Sequence, residues 1–129
     1  IAAMLSPTQL TALAREAHNL GLEVLLEVHS REEIPDNVEE IADLVGVNNR
    51  NLKTFETRLE TSLQLAEFLS KGMVKVSESG ISDPAKIAML KQAGYQGFLI
   101  GEAFMKQPVP HQAAAEFVRA VKGTEKANF

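Results

Sequence analysis

Glu27 stands inside VLLEV, residues 24 to 28, a run with no other polar side chain. A carboxylate among aliphatic residues is costly unless it is paired, hydrogen-bonded or put to use. Proton transfer and a structural ion pair are its two readings. Three more strand-like segments end in chemistry-bearing groups. Leu44 to Val47 gives onto Asn48-Asn49-Arg50-Asn51, Val74 to Ser77 onto Glu78-Ser79-Gly80, and GFLI (97–100) onto Gly101-Glu102. Asn48 and Arg50 alternate onto one side of an extended chain, and an arginine fork suits a carboxylate or a phosphate. Asn49 and Asn51 fit a turn held by their own side chains equally well. Ser79-Gly80 offers a hydroxyl and an unobstructed amide, which makes either a phosphate cradle or an ordinary turn. One helical turn over Ala103-Phe104-Met105 would aim free N–H groups at an anion. Glu102 would then contribute its backbone amide rather than its carboxylate. His29 reads as a cap or a solvent-facing residue, and Lys53 as a solvated loop lysine.

The elements that position these groups alternate in type. Ser6-Pro7 opens a helix as N-cap and N1, with Leu10, Leu13, Ala14 and Ala17 at helical spacing and Gly21 just past its end. VLLEV is the first complete strand. Ser30 and Glu33 have capping-box spacing, in a helical segment that Pro35 interrupts. Further strands are expected at Leu44 to Val47, Val74 to Glu78 and GFLIG (97–101). Helices are expected around Thr61 to Leu69, from Asp83-Pro84 to Gly94, and over Gln112 to Lys122, with a frayed tail from about Thr124. IAAML, residues 1 to 5, reads as the tail of a strand already in progress, and the chain as a piece of something longer. Five parallel strands with helices fit an open doubly wound sheet or part of an eight-stranded barrel; the missing opening strand favours the barrel. The strands read as apolar runs covered on both faces. In either architecture the chemistry sits at the strand carboxyl ends.

Composition excludes several classes. With no cysteine there is no disulfide, thiolate metal site or cysteine nucleophile. Three scattered histidines argue against a metal site. A net charge of −4 with no basic cluster argues against nucleic acid. No apolar run approaches the ~18 residues of a membrane span, and the expected location is cytoplasmic.

LLEVHS, VGVNNRNLKTF, VSESGI and LIGEAFM, in this order and spacing, resemble the motifs of indole-3-glycerol phosphate synthase over nearly the whole chain. The resemblance implies a (β/α)8 barrel and a carboxy-lyase of tryptophan biosynthesis. That enzyme closes the pyrrole ring of a carboxyphenylamino-deoxyribulose 5-phosphate with loss of carbon dioxide and water, and needs no cofactor or metal. It implies that residues 1–129 form one half-barrel domain, from the end of strand four (Ile1 to Leu5) through helix eight. Glu27, Asn48 and Glu78 would be catalytic. Arg50, Ser79 and Leu99 would bind substrate, and Ser79, Gly80, Gly101 and Glu102 its phosphate. The family often has serine where Glu102 stands.

The same resemblance says what the chain lacks. The family's first three strands carry an essential glutamate and two lysines, and Lys53 and Lys106 do not map onto them. Activity is therefore expected of the complete protein, and self-association through open half-barrel edges of this chain. The competing expectations are another phosphate-binding barrel, such as the isomerase one step earlier in the pathway, and a non-catalytic half-barrel scaffold that binds phosphate.

Overall fold

The computed structural model of the chain describes residues 1–127. Ten α and β elements follow one another: α1 (Pro7–Asn19), β1 (Leu25–Val28), α2 (Val38–Ile41), β2 (Leu44–Asn48), α3 (Glu60–Leu65), β3 (Val74–Glu78), α4 (Pro84–Gln92), β4 (Gly97–Leu99), α5 (Glu102–Met105) and α6 (Pro110–Ala127). The strands form one parallel sheet in the order β1-β2-β3-β4. This is the sheet that consecutive right-handed β-α-β crossovers produce.

Local signals act where the sequence puts them. The Ser6 hydroxyl accepts from Gln9 N–H while the Gln9 side chain accepts from Ser6 N–H. Asp83 caps α4 by accepting from Ala85 N–H at 2.9 Å, and Gly21 and Gly94 take positive φ where α1 and α4 end. Four expectations are corrected. Ile1 to Leu5 forms no strand: Ala2–Met4 is a 3-10 turn closed by Met4 N–H to Ile1 O, packed against β1. An extended segment needs a ladder partner, and among the described residues β1 pairs only with β2. The helix expected over Thr61 to Leu69 is the short α3 followed by a 3-10 turn at Ala66–Phe68. The last helix continues past Thr124 to Ala127, while Asn128 and Phe129 lie outside the described residues. The sheet is also not covered equally on its two faces.

Successive strand residues point to opposite faces. Leu26, Val28, Val45 and Val47 are buried in the core with Leu10, Leu65, Ile87 and Leu90 from the helices. The opposite parity carries Glu27, Gly46, Asn48 and Glu78 toward the strand ends. It also leaves Leu25, Val74 and Leu99 at 41%, 38% and 49% exposure. Among the described residues the helices cover one face, and the other holds the polar site above an open apolar floor.

Candidate active site

Register alone brings the predicted groups together. Glu27 is level with Gly46, and Asn48 with Glu78. Gly46 makes the close approach possible: a Cβ there would sit 2.7 Å from Glu78 Oε2, so the missing side chain leaves room for the carboxyl to lie across β2. Glu78 is only 6% exposed. Burial, and then the charge and hydrogen bond of Glu27, push its carboxyl up to about 7. Two carboxyls in contact cannot both ionise without a large cost, so one proton stays with the pair near neutrality.

The turn after β3 is held by a buried polar network. Asn49 Nδ2 donates to Ser77 Oγ at 3.1 Å and to Ser79 O at 3.0 Å. Its Oδ1 accepts from Ser62 N–H and the Ser62 hydroxyl, and the Tyr95 hydroxyl donates to Ser62 O. Burial pushes the Tyr95 phenol up to about 12. Asn49 is therefore structural, tying the ends of β2 and β3 to α3. It holds Ser79 at φ 71°, a left-handed conformation that costs a non-glycine residue about 1 kcal/mol or more. Gly80 shares that φ, and a Cβ on it would meet Thr57 Cγ2 at 2.1 Å. Ser79 and Gly80 are thus pinned at the rim.

Asn48 Oδ1 accepts from Arg50 N–H at 3.0 Å, which turns the chain out of β2. Arg50 then reaches across the sheet, and its Nη2 lies 2.7 Å from Glu102 Oε2. That guanidinium holds the Glu102 carboxyl below the usual carboxylate range. The sequence reading of Glu102 concerned its backbone amide; the structure adds a side-chain contact to Arg50 that the sequence did not show. Gly101 is the N-cap of α5, whose first amide N–H groups stand at the same rim.

All nine predicted residues line one cleft of about 640 Å³: Glu27, Asn48, Arg50, Glu78, Ser79, Gly80, Leu99, Gly101 and Glu102. Six further residues line it, and sequence reasoning gave no site role to the three polar ones among them. Thr57 touches Arg50 Nε through Oγ1, Ser82 follows the Ser79-Gly80 turn, and Lys106 lies one helical turn beyond Glu102. Only the i, i+4 spacing of Glu102 and Lys106 gave a local sign. His29 is neither a cap nor solvent-facing: its ring lies between Glu27 and Glu33. Among the described residues no group of three or more His, Asp or Glu side chains is arranged to hold a metal, and no helix is long and apolar enough to cross a membrane.

The structure thus defines an α/β fold that gathers two carboxyls, an arginine and a glycine-containing rim at the carboxyl ends of parallel strands. The chain belongs to the indole-3-glycerol phosphate synthase family, whose model matches residues 1–117. It is 51% identical over 122 residues to the indole-3-glycerol phosphate synthase of Bacteroides thetaiotaomicron, covering 95% of this chain and 46% of that one. It is 44% identical over 118 residues to the synthase of Magnetococcus marinus, covering 92% and 44%. The chain spans under half the length of these curated relatives. A chain in the crystal structure of the Amycolatopsis orientalis BexX/CysO complex superposes with a TM-score of 0.64 over 92% of this chain and 49% of that chain. At 20% identity that likeness is one of fold alone. The family match favours the synthase over the isomerase.

Proposed function

We propose that residues 1–129 are one domain, the carboxyl-terminal half of a (β/α)8 barrel, and that the complete protein is an indole-3-glycerol phosphate synthase. Strands β1 to β4 correspond to barrel strands five to eight. The open apolar face of Leu25, Val74 and Leu99 is then the barrel interior, covered in the complete protein by the strands that precede these. The substrate is carboxyphenylamino-deoxyribulose 5-phosphate, and the location is the cytoplasm.

One observation carries the reading: two carboxyls, Glu27 and Glu78, line a single cleft with an arginine and a glycine-rich rim. Ring closure builds charge on a carbonyl oxygen, and dehydration expels a hydroxyl. Both steps need a proton donor and a proton acceptor. Two carboxyls whose proton affinities are driven apart supply one of each. Glu27 is the proton acceptor, and Glu78 keeps its proton near neutral pH. Asn48 hydrogen-bonds the substrate near the reacting carbons. Arg50 orients an anionic group, Leu99 lines the pocket floor, and the backbone of Ser79, Gly80, Gly101 and Glu102 receives the phosphate. No cofactor enters these steps. Alone, the chain lacks the family's first-half glutamate and lysines, and its unpaired edges lead it to self-associate.

The test is turnover followed by indole fluorescence. The 129-residue chain is assayed alone and with the amino-terminal half of the Bacteroides thetaiotaomicron synthase. Activity only in the mixture, lost on Glu27→Gln, is the expected result. Phosphate binding with no turnover in either sample would instead identify a non-catalytic half-barrel scaffold.

A further inference from the structure

A line of ionisable side chains leads from the cleft to the loop behind it. Glu78 lies across Gly46, which is level with Glu27, and both carboxyls line the same cleft. On the far side of Glu27, His29 Nε2 lies 3.6 Å from Glu27 Oε2. The other ring nitrogen, Nδ1, lies 3.5 Å from Glu33 Oε2. Both nitrogens are shielded from solvent and have no hydrogen-bond partner among the described residues. Glu33 is fixed independently, because its Oε2 accepts from the backbone N–H groups of His29 and Ser30. The imidazole therefore has a carboxyl at each end.

A neutral imidazole carries one N–H and one lone pair. Between two carboxylates its lone pair would face oxygen lone pairs on one side. The imidazolium carries N–H groups at both ends and matches both neighbours. Arg50, Lys53, Glu56 and Arg58 from the β2–α3 loop line the adjoining cavity. Glu27 and Glu33 are the groups at ion-pair distance from the ring.

We propose that His29 is the positioning residue of the carboxyl pair: held as an imidazolium between Glu27 and Glu33, it keeps Glu27 ionised and leaves the shared proton on Glu78. His29 thus decides which carboxyl is base and which is acid. The inference rests on the reading of Glu27 and Glu78 as the proton-transfer pair. Its test reads proton positions rather than turnover, so the two fail separately.

The experiment is a carboxyl and imidazole titration of the 129-residue chain by NMR. An opposite charge within 4–6 Å lowers a carboxyl by ~1–3 pH units. His29→Gln therefore raises the Glu27 midpoint by about one unit or more and brings the Glu78 midpoint down toward it. Glu33→Gln keeps the ring but removes one of its carboxylates, so the His29 midpoint falls. A purely structural role for His29 would alter stability without changing the order in which the two carboxyls titrate. An unchanged Glu27 curve in a folded His29→Gln chain overturns the proposal. Should that variant not fold, a His29 midpoint identical in Glu33→Gln and wild type overturns it.

Discussion

Glu78 sets the electrostatics of the cleft, and its burial makes stability depend on pH. Its carboxyl is raised from 4.5 to about 7, so between those values the native chain holds a proton that the unfolded chain has lost. The sign follows from linkage: this contribution is whole below about 4.5 and is lost as pH rises through about 7. Glu78→Gln cannot ionise. Urea denaturation at pH 5 and pH 8 should show wild type losing stability relative to this variant, by on the order of 3 kcal/mol at full shift. Parallel curves for the two proteins would mean that Glu78 ionises freely. Arg50 and Glu102 make a second pair with a directional consequence. A carboxylate beside an anion site repels the anion and occupies the guanidinium that would bind it. Glu102→Ser should therefore tighten inorganic phosphate binding several-fold, and Arg50→Ala should weaken it about tenfold or more, both read by calorimetry. Tighter binding in Arg50→Ala would remove that residue from the site. The oddity of Glu27 in its apolar run is visible in the sequence. The raised proton affinity of Glu78 is not, because its causes, Gly46 beneath it and Glu27 beside it, lie 32 and 51 positions away along the chain.

The turn between β3 and α4 is specified from a distance. Ser79 and Gly80 have their backbone angles set by Asn49, Ser62 and Thr57, which belong to β2, α3 and the loop between them. Gly80→Ala combines a left-handed φ with a Cβ 2.1 Å from Thr57 Cγ2. It should destabilise the chain by about 2 kcal/mol or more and loosen phosphate binding with it. Ser62→Ala leaves a buried amide oxygen short of a donor and should cost about 1–3 kcal/mol in thermal or urea unfolding. If either variant unfolded like wild type, the network would not be what holds the rim. Elements whose signals are local are legible in the residues themselves: the Ser6 and Asp83 caps, the prolines after them, and Gly21 and Gly94 past the helix ends. Elements decided by distant partners are not. IAAML has strand composition but no ladder partner, and folds into a 3-10 turn. Asn49 reads as a turn residue yet is buried at the hub of a network joining β2, β3 and α3.

A sheet of four parallel strands has two edges, and here β1 and β4 each have one neighbour. Parallel sheets are ordinarily covered on both faces, yet Leu25, Val74 and Leu99 stand open on the site face. Apolar surface and unpaired N–H and C=O groups on the same body favour association by a mechanism that needs no specific partner. The chain should therefore form dimers or larger species as concentration rises. Leu25→Lys with Leu99→Lys, which charge the open face without touching the helix-side core, should shift light-scattering mass toward the monomer. The amino-terminal half of the Bacteroides thetaiotaomicron synthase should compete with this self-pairing, because closing the proposed eight-stranded barrel would remove both edges and cover the face at once. Titrating that half into the chain should replace the self-associated species by a one-to-one complex, with turnover appearing in step with it. A wild-type chain that stays monomeric at high concentration, and ignores the added half, would mean that the open face and the edges do not drive assembly.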